Sequence, residues 1–244
     1  MPETSPLSHL IAGGLLAWLA AALRRAAGGP ELRGARLLVV GSLLAWAVAS
    51  SWLAYRGAYL ALNASHLLLV WATAAPYALV GALALASAKV RELLRRFARG
   101  VSLESLTAVH AVRVLALGTL TKWWIGALPG HFILPVGVPD FLIGLTALPV
   151  SRWLARQPVA KPGLLAAWHA VGAGVLLLAV PLIQLSQPGP LRVFTEGPRT
   201  DEVLDFPMSI VPTFVAPLLV GLHAVALLKL ARQRAPAARR EEVP

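Results

Sequence analysis

Residues 164–187 read LLAAWHAVGAGVLLLAVPLIQLSQ, 24 consecutive positions without a charged side chain. As an α-helix rising 1.5 Å per residue this run extends about 36 Å, enough to cross a hydrocarbon core of about 30 Å. Six further runs share its character: Leu7–Leu23, Leu37–Tyr55, His66–Ala88, Leu103–Trp124, Asp140–Leu154 and Pro207–Leu230. The first is short for a span and the fifth shorter. Tilt, flanking residues or a re-entrant piece would complete them. Arg24 and Arg25 follow the first run instead of preceding it. It therefore reads as a mature helix and not as a signal peptide.

Composition agrees. Of 244 residues 57% are hydrophobic and 14% charged, with a mean hydropathy of +0.70. An average soluble domain is about 25% charged. Ordinary soluble enzymes, disordered chains and fibrous proteins are excluded. The predicted fold is all-α: a seven-helix transmembrane bundle forming one integral membrane domain over residues 1–244, with a basic tail from about residue 231.

The net charge of +11 comes from bases placed between the apolar runs. One set of alternate loops and the tail hold 17 of the 22 Lys and Arg residues, among them Arg24, Arg33, Arg91, Arg95, Arg152 and Lys229; the opposite set holds Arg56, Lys122, Arg192 and Arg199. This asymmetry predicts an outer N-terminus and a cytoplasmic C-terminus. It also predicts contact with anionic lipid at the cytoplasmic face and not with nucleic acid. The Ala, Leu, Arg, Gly and Pro bias points to a bacterial source, hence to the inner (plasma) membrane. The chain has no cysteine, which removes disulfides, thiolate metal sites and Cys nucleophiles.

Ionisable groups at membrane depth are costly and mark candidate sites. Arg113 lies about ten residues into the fourth run, roughly 15 Å deep. It serves either to hold helices together or to bind a ligand or anion. His110, His169 and His223 sit on three different runs at one depth, about 10 Å inside the cytoplasmic face. They are candidate ligands for a transition metal or haem, candidate proton carriers, or three unrelated helix–helix hydrogen bonders. Asp140 follows the broken apolar stretch 128–139, LPGHFILPVGVP, which reads as a re-entrant piece or an outer loop. Asp140 then caps a helix N-terminus or joins His131 in an outward-facing site. The loop 188–206 carries Glu196, Asp201, Glu202 and Asp205 and is either a solvated surface loop or a cation-attracting mouth. Pro212 and Pro217 free backbone carbonyls in the seventh run, where Thr213 and Ser209 complete a polar site; Pro76, beside Thr73 and Tyr77, does the same in the third. Trp123 and Trp124 suit an interfacial belt, and Asn63-Ala64-Ser65 matches a glycosylation sequon.

Phosphate loops, dinucleotide fingerprints, zinc-protease motifs and nucleophile elbows are missing from the sequence. Lys229 stands at the end of the seventh run, too far from its middle for a retinal Schiff base. No repeat relates the two halves.

Arg113…Leu128-Pro129…Phe132…Pro135-Val-Gly-Val-Pro-Asp140, together with Val211-Pro-Thr-Phe-Val-Ala-Pro217…His223, resembles the signature of a group of uncharacterised bacterial multi-pass membrane proteins. The resemblance covers about half the chain and implies no activity. It singles out Arg113, Asp140, Pro212, Pro217 and His223.

Three functions follow from these residues. One is binding or transport of a small ligand, ion or proton in a polar pocket among runs four to seven, built from Arg113, Asp140, His110, His223 and Thr213. Another is a redox protein or accessory subunit with haem or a metal on His110, His169 and His223. The third is an assembly protein whose polar groups only join helices, with a membrane partner or a second copy of itself.

Overall fold

A computed structural model describes residues 6–61, 67–157 and 162–234. The sequon at Asn63 and the tail beyond residue 234 lie outside the described residues. All regular structure among the described residues is helical. Seven helices are long and apolar enough to cross a membrane: Leu7–Ala26, Pro30–Tyr55, Leu68–Ala86, Leu103–Trp124, Gly130–Arg156, Pro162–Ser186 and Val211–Gln233. They are numbered one to seven below. Leu10, Leu37, Trp71, Leu85 and Trp124 stand exposed on their outer faces. Helix seven is the central one: 56% of its apolar window is buried, against 17–33% in the other six.

Three departures from the sequence-based expectation shape the site. Helix five starts at Gly130, ten residues before Asp140, so the stretch 128–139 is neither a re-entrant loop nor an outer loop. Prolines do not break it because Ile133–Gly137 widens into a π-turn, in which Val138 N–H bonds to Ile133 O. Asp140 therefore sits inside a continuous helix and does not cap its N-terminus.

Helix seven contains a second π-turn, Val211–Val215, and the freed carbonyls can be followed one by one. Ala216 N–H bonds to Val211 O, which leaves Pro212 O without its usual helical donor, and Thr73 Oγ1 supplies one at 3.1 Å. Pro217 has no N–H for Thr213 O, and Trp46 Nε1 takes that carbonyl at 3.0 Å. Tyr77 Oη donates to Pro217 O at 2.7 Å. Helices two and three thus bind the irregular part of helix seven. Pro76 sits inside helix three without interrupting it.

The third departure is an extra helix, Ala88–Gly100, between helices three and four. Ser87 caps it by accepting from Val90 N–H, and Lys229 Nζ donates to the terminal carbonyls of Ala98 and Arg99 at 3.1 and 2.8 Å. Val90, Leu93 and Phe97 are buried on one face, while Lys89, Arg95 and Arg99 point away. Arg96 pairs with Glu31 and Glu92, and Ser151 Oγ bonds to Glu104 O, so the basic ends of the helices gather at one end of the bundle.

Two glycines set helix contacts. A Cβ on Gly144 would lie 2.2 Å from Val114 N, so helices four and five touch backbone to backbone. A Cβ on Gly172 would lie 2.5 Å from His223 Cε1 and 3.1 Å from Arg113 Nη1. Helix six can pass the polar cluster only because that side chain is absent.

Candidate functional site

The middle of helix four, Val109–Ala116, is wound as a 3₁₀-helix. In that geometry positions i and i+3 eclipse. His110 and Arg113 therefore project from one side, and both are buried. Arg113 reaches three helices. Its Nε donates to Asp140 Oδ1 on helix five at 2.7 Å. Its Nη1 donates to Gly172 O on helix six at 3.0 Å and lies 3.0 Å from His223 Nε2 on helix seven. Nη2 is buried without a partner.

The three histidines, which the sequence places at one depth without showing that their helices touch, come together. All are fully buried, and one ring nitrogen from each lies within 4.8 Å of the others. A guanidinium only donates, so His223 Nε2 accepts and Nδ1 carries the proton. His223 Nδ1 faces His169 Nδ1 at 2.8 Å, which makes His169 Nδ1 the acceptor and places its proton on Nε2. That nitrogen lies 3.4 Å from Thr107 Oγ1, which itself donates to Leu103 O at 2.8 Å. One direction of donation runs from Arg113 through two imidazoles to Thr107. His110 stands apart from this chain. Its ring stacks on His223 at 3.7 Å between centroids and 11° between planes, and neither nitrogen has a partner. Stacked rings do not aim at one point, so an ion shared by all three needs His110 to turn. The rings are fully buried and packed against each other and Trp168, so none of their nitrogens faces a space that could take a porphyrin. The haem expectation does not fit this arrangement.

Asp140 faces the other way. It lies on the wall of a cavity of about 460 Å³ together with Arg113, Thr119, Lys122, Glu202 and Asp205. The Asp140 side chain is 19% exposed there, while that of Arg113 is 1% exposed and lies beneath it. Lys122 and Glu202 form an ion pair at the rim, both about 40% exposed. Of the acidic loop, Val203 and Leu204 are buried, so the segment around residues 202–206 is a packed cavity wall and not a freely solvated loop.

Residues 70–231 match the family described as a domain of unknown function, DUF8737. The chain belongs to the DUF8737 family. The DUF8737 region takes in helices three to seven and every member of the Arg113 cluster, and it leaves helices one and two outside. No curated protein and no solved structure matches the chain.

Two residues expected in the site belong elsewhere. Thr213 Oγ1 donates to Ser209 O at 2.8 Å and meets Ser50 Oγ at 2.6 Å, and Ser50 meets Tyr59 Oη at 2.8 Å. This is a separate network that ties helix two to helix seven. His131 does not join Asp140; it lies 2.6 Å from Ser186 Oγ and stacks on Phe194 at 3.9 Å. Nothing in the sequence marks Thr107 or Gly172, and Gly144 stands there only as part of the resembling run Gly144-Leu-Thr-Ala147, with no role attached. A small residue opposite a buried Arg is a signal only once the helix pairing is known.

Proposed function

We propose that the chain is a multi-pass membrane protein that binds, and by extension carries, a small solute bearing a cationic or hydrogen-bond-donating group. The N-terminus lies outside and the cavity opens outward between Lys122 and Glu202. One observation carries this reading: a carboxylate, Asp140, is presented to an apolar-walled cavity of about 460 Å³. That volume lies in the range of small-molecule sites. Three carboxylates (Asp140, Glu202 and Asp205) and two bases line the cavity, and the deeper base, Arg113, turns its donors toward Asp140, Gly172 and His223. The apolar wall takes the body of the solute and Asp140 takes its charged end. Arg113 fixes Asp140 in place through Nε and Oδ1 at 2.7 Å.

Thermal unfolding of the detergent-purified protein tests this. Benzyltrimethylammonium, an apolar ring with a fixed positive charge, is expected to raise the midpoint, and phenylacetate is not. Asp140→Asn is expected to abolish the cation effect. Equal shifts with both probes, or an unchanged cation shift in Asp140→Asn, would contradict the assignment.

A further inference from the structure

The geometry points to a second site below the cavity: His110, His169 and His223 bind one borderline transition-metal ion such as zinc, in competition with Arg113. Three imidazole nitrogens within 4.8 Å of one another can converge on an ion whose metal–nitrogen bonds are about 2.0–2.1 Å.

The three residues differ in readiness. His169 is already a formed ligand. Its Nδ1 faces the cluster, 2.8 Å from His223 Nδ1, and its Nε2 faces Thr107 Oγ1 at 3.4 Å, where an outer partner can orient a metal-binding imidazole. His110 is buried with both nitrogens unpartnered, so turning its ring toward an ion breaks no hydrogen bond. A buried imidazole with nothing to bond is costly, and an ion would supply the missing partner. His223 is the occupied one, because Arg113 holds its Nε2 and thereby keeps the proton on Nδ1.

Binding the ion through His223 Nδ1 moves that proton to Nε2, where it would face a donor of Arg113. The number of protons is unchanged, but Arg113 Nη1 must leave His223 for Gly172 O, its other acceptor. The cation and the guanidinium also repel each other. Arg113 is thus a competitor for the site and not a supporting residue, and the ion that displaces it shifts Arg113 relative to Asp140 and the cavity above.

The purified full-length protein is titrated with cobalt(II), which reports imidazole ligation by its visible d–d absorption, and zinc(II) is then added as competitor. The wild type is expected to bind one ion per chain and release cobalt to zinc. His110→Ala, which removes no hydrogen bond, is expected to lose saturable absorption while remaining folded by circular dichroism. Thr107→Val is expected to weaken binding by about 10–100-fold, as loss of an outer-shell partner does. Arg113→Gln is expected to bind about tenfold more tightly, the reverse of a residue that supports the site. Cobalt binding in His110→Ala equal to wild type, or no binding in wild type, overturns the site. Equal affinity in wild type and folded Arg113→Gln overturns the competition.

Discussion

Arg113 Nη1 and His223 Nε2 lie 3.0 Å apart, and since the arginine can only donate, this contact fixes the proton of every imidazole beyond it. His223 carries hydrogen on Nδ1 and His169 on Nε2. Nitrogen NMR of the histidine-labelled, metal-free protein is expected to show these two opposite tautomers. His223 in the Nε2–H form would contradict the Arg113 contact.

Arg113 and Asp140 form a partly buried ion pair at 2.7 Å, with Arg113 enclosed and Asp140 on the cavity wall. Removing one partner leaves a charge without compensation, which typically costs about 3–5 kcal/mol, whereas replacing both with apolar residues is often close to neutral. Asp140→Asn and Arg113→Met are each expected to lower stability strongly, and Arg113→Met with Asp140→Leu to recover most of the loss. Reversible denaturation of the wild type, Asp140→Leu, Arg113→Met and the double variant forms a double-mutant cycle. Additive losses would mean that the pair is not coupled.

Gly172 and Gly174 are two residues apart on helix six but differ in their surroundings. A Cβ at Gly172 meets His223 and Arg113, and one at Gly174 meets nothing within 4 Å. Gly172→Ala is expected to cost about 1–3 kcal/mol by overpacking. Gly174→Ala is expected to be neutral or slightly stabilising, since alanine loses less backbone freedom. Unfolding midpoints of both variants check the contrast.

Glu92 lies outside the seven long helices, and its hydrogen bond from Arg96 holds its carboxyl below the usual carboxylate range. A depressed folded-state value means that its contribution is fully present above the unfolded value and is lost as the pH falls through the folded one. Hydrogen exchange in the Ala88–Gly100 helix is therefore expected to show less protection below about pH 4 than at neutral pH, after correction for intrinsic rates. Glu92→Gln is expected to remove that difference.

The seven apolar helices are legible in the sequence because some twenty uncharged residues in a row have few other stable solutions. The common level of His110, His169 and His223 is legible for a related reason, since helices that cross the same slab hold residues of equal depth at one height, but that the three helices touch there is not. What stays hidden depends on packing. Asp140 reads as a cap because Pro135 and Pro139 precede it, and only the π-turn shows that the helix runs through them. Its pairing with Arg113 requires knowing that Gly144 lets helices four and five touch. Thr213 reads as a site residue because prolines flank it, yet Ser50 and Trp46 already take its hydroxyl and its carbonyl. The Ala88–Gly100 helix is different in kind. Its apolar residues Val90, Leu93 and Phe97 have helical spacing, but five bases among them read first as a topology signal.

In the proposed function, Asp140 makes an outward-opening cavity selective for cations. The chain has no cysteine, so Thr119→Cys places a single thiol on the cavity wall. The measurement is its modification in intact cells by impermeant cationic and anionic methanethiosulfonates, each rate taken relative to a free thiol. Faster modification by the cationic reagent is expected, as is loss of that preference when Asp140→Asn is added. No modification, or the same charge preference with and without Asp140, would contradict this selectivity.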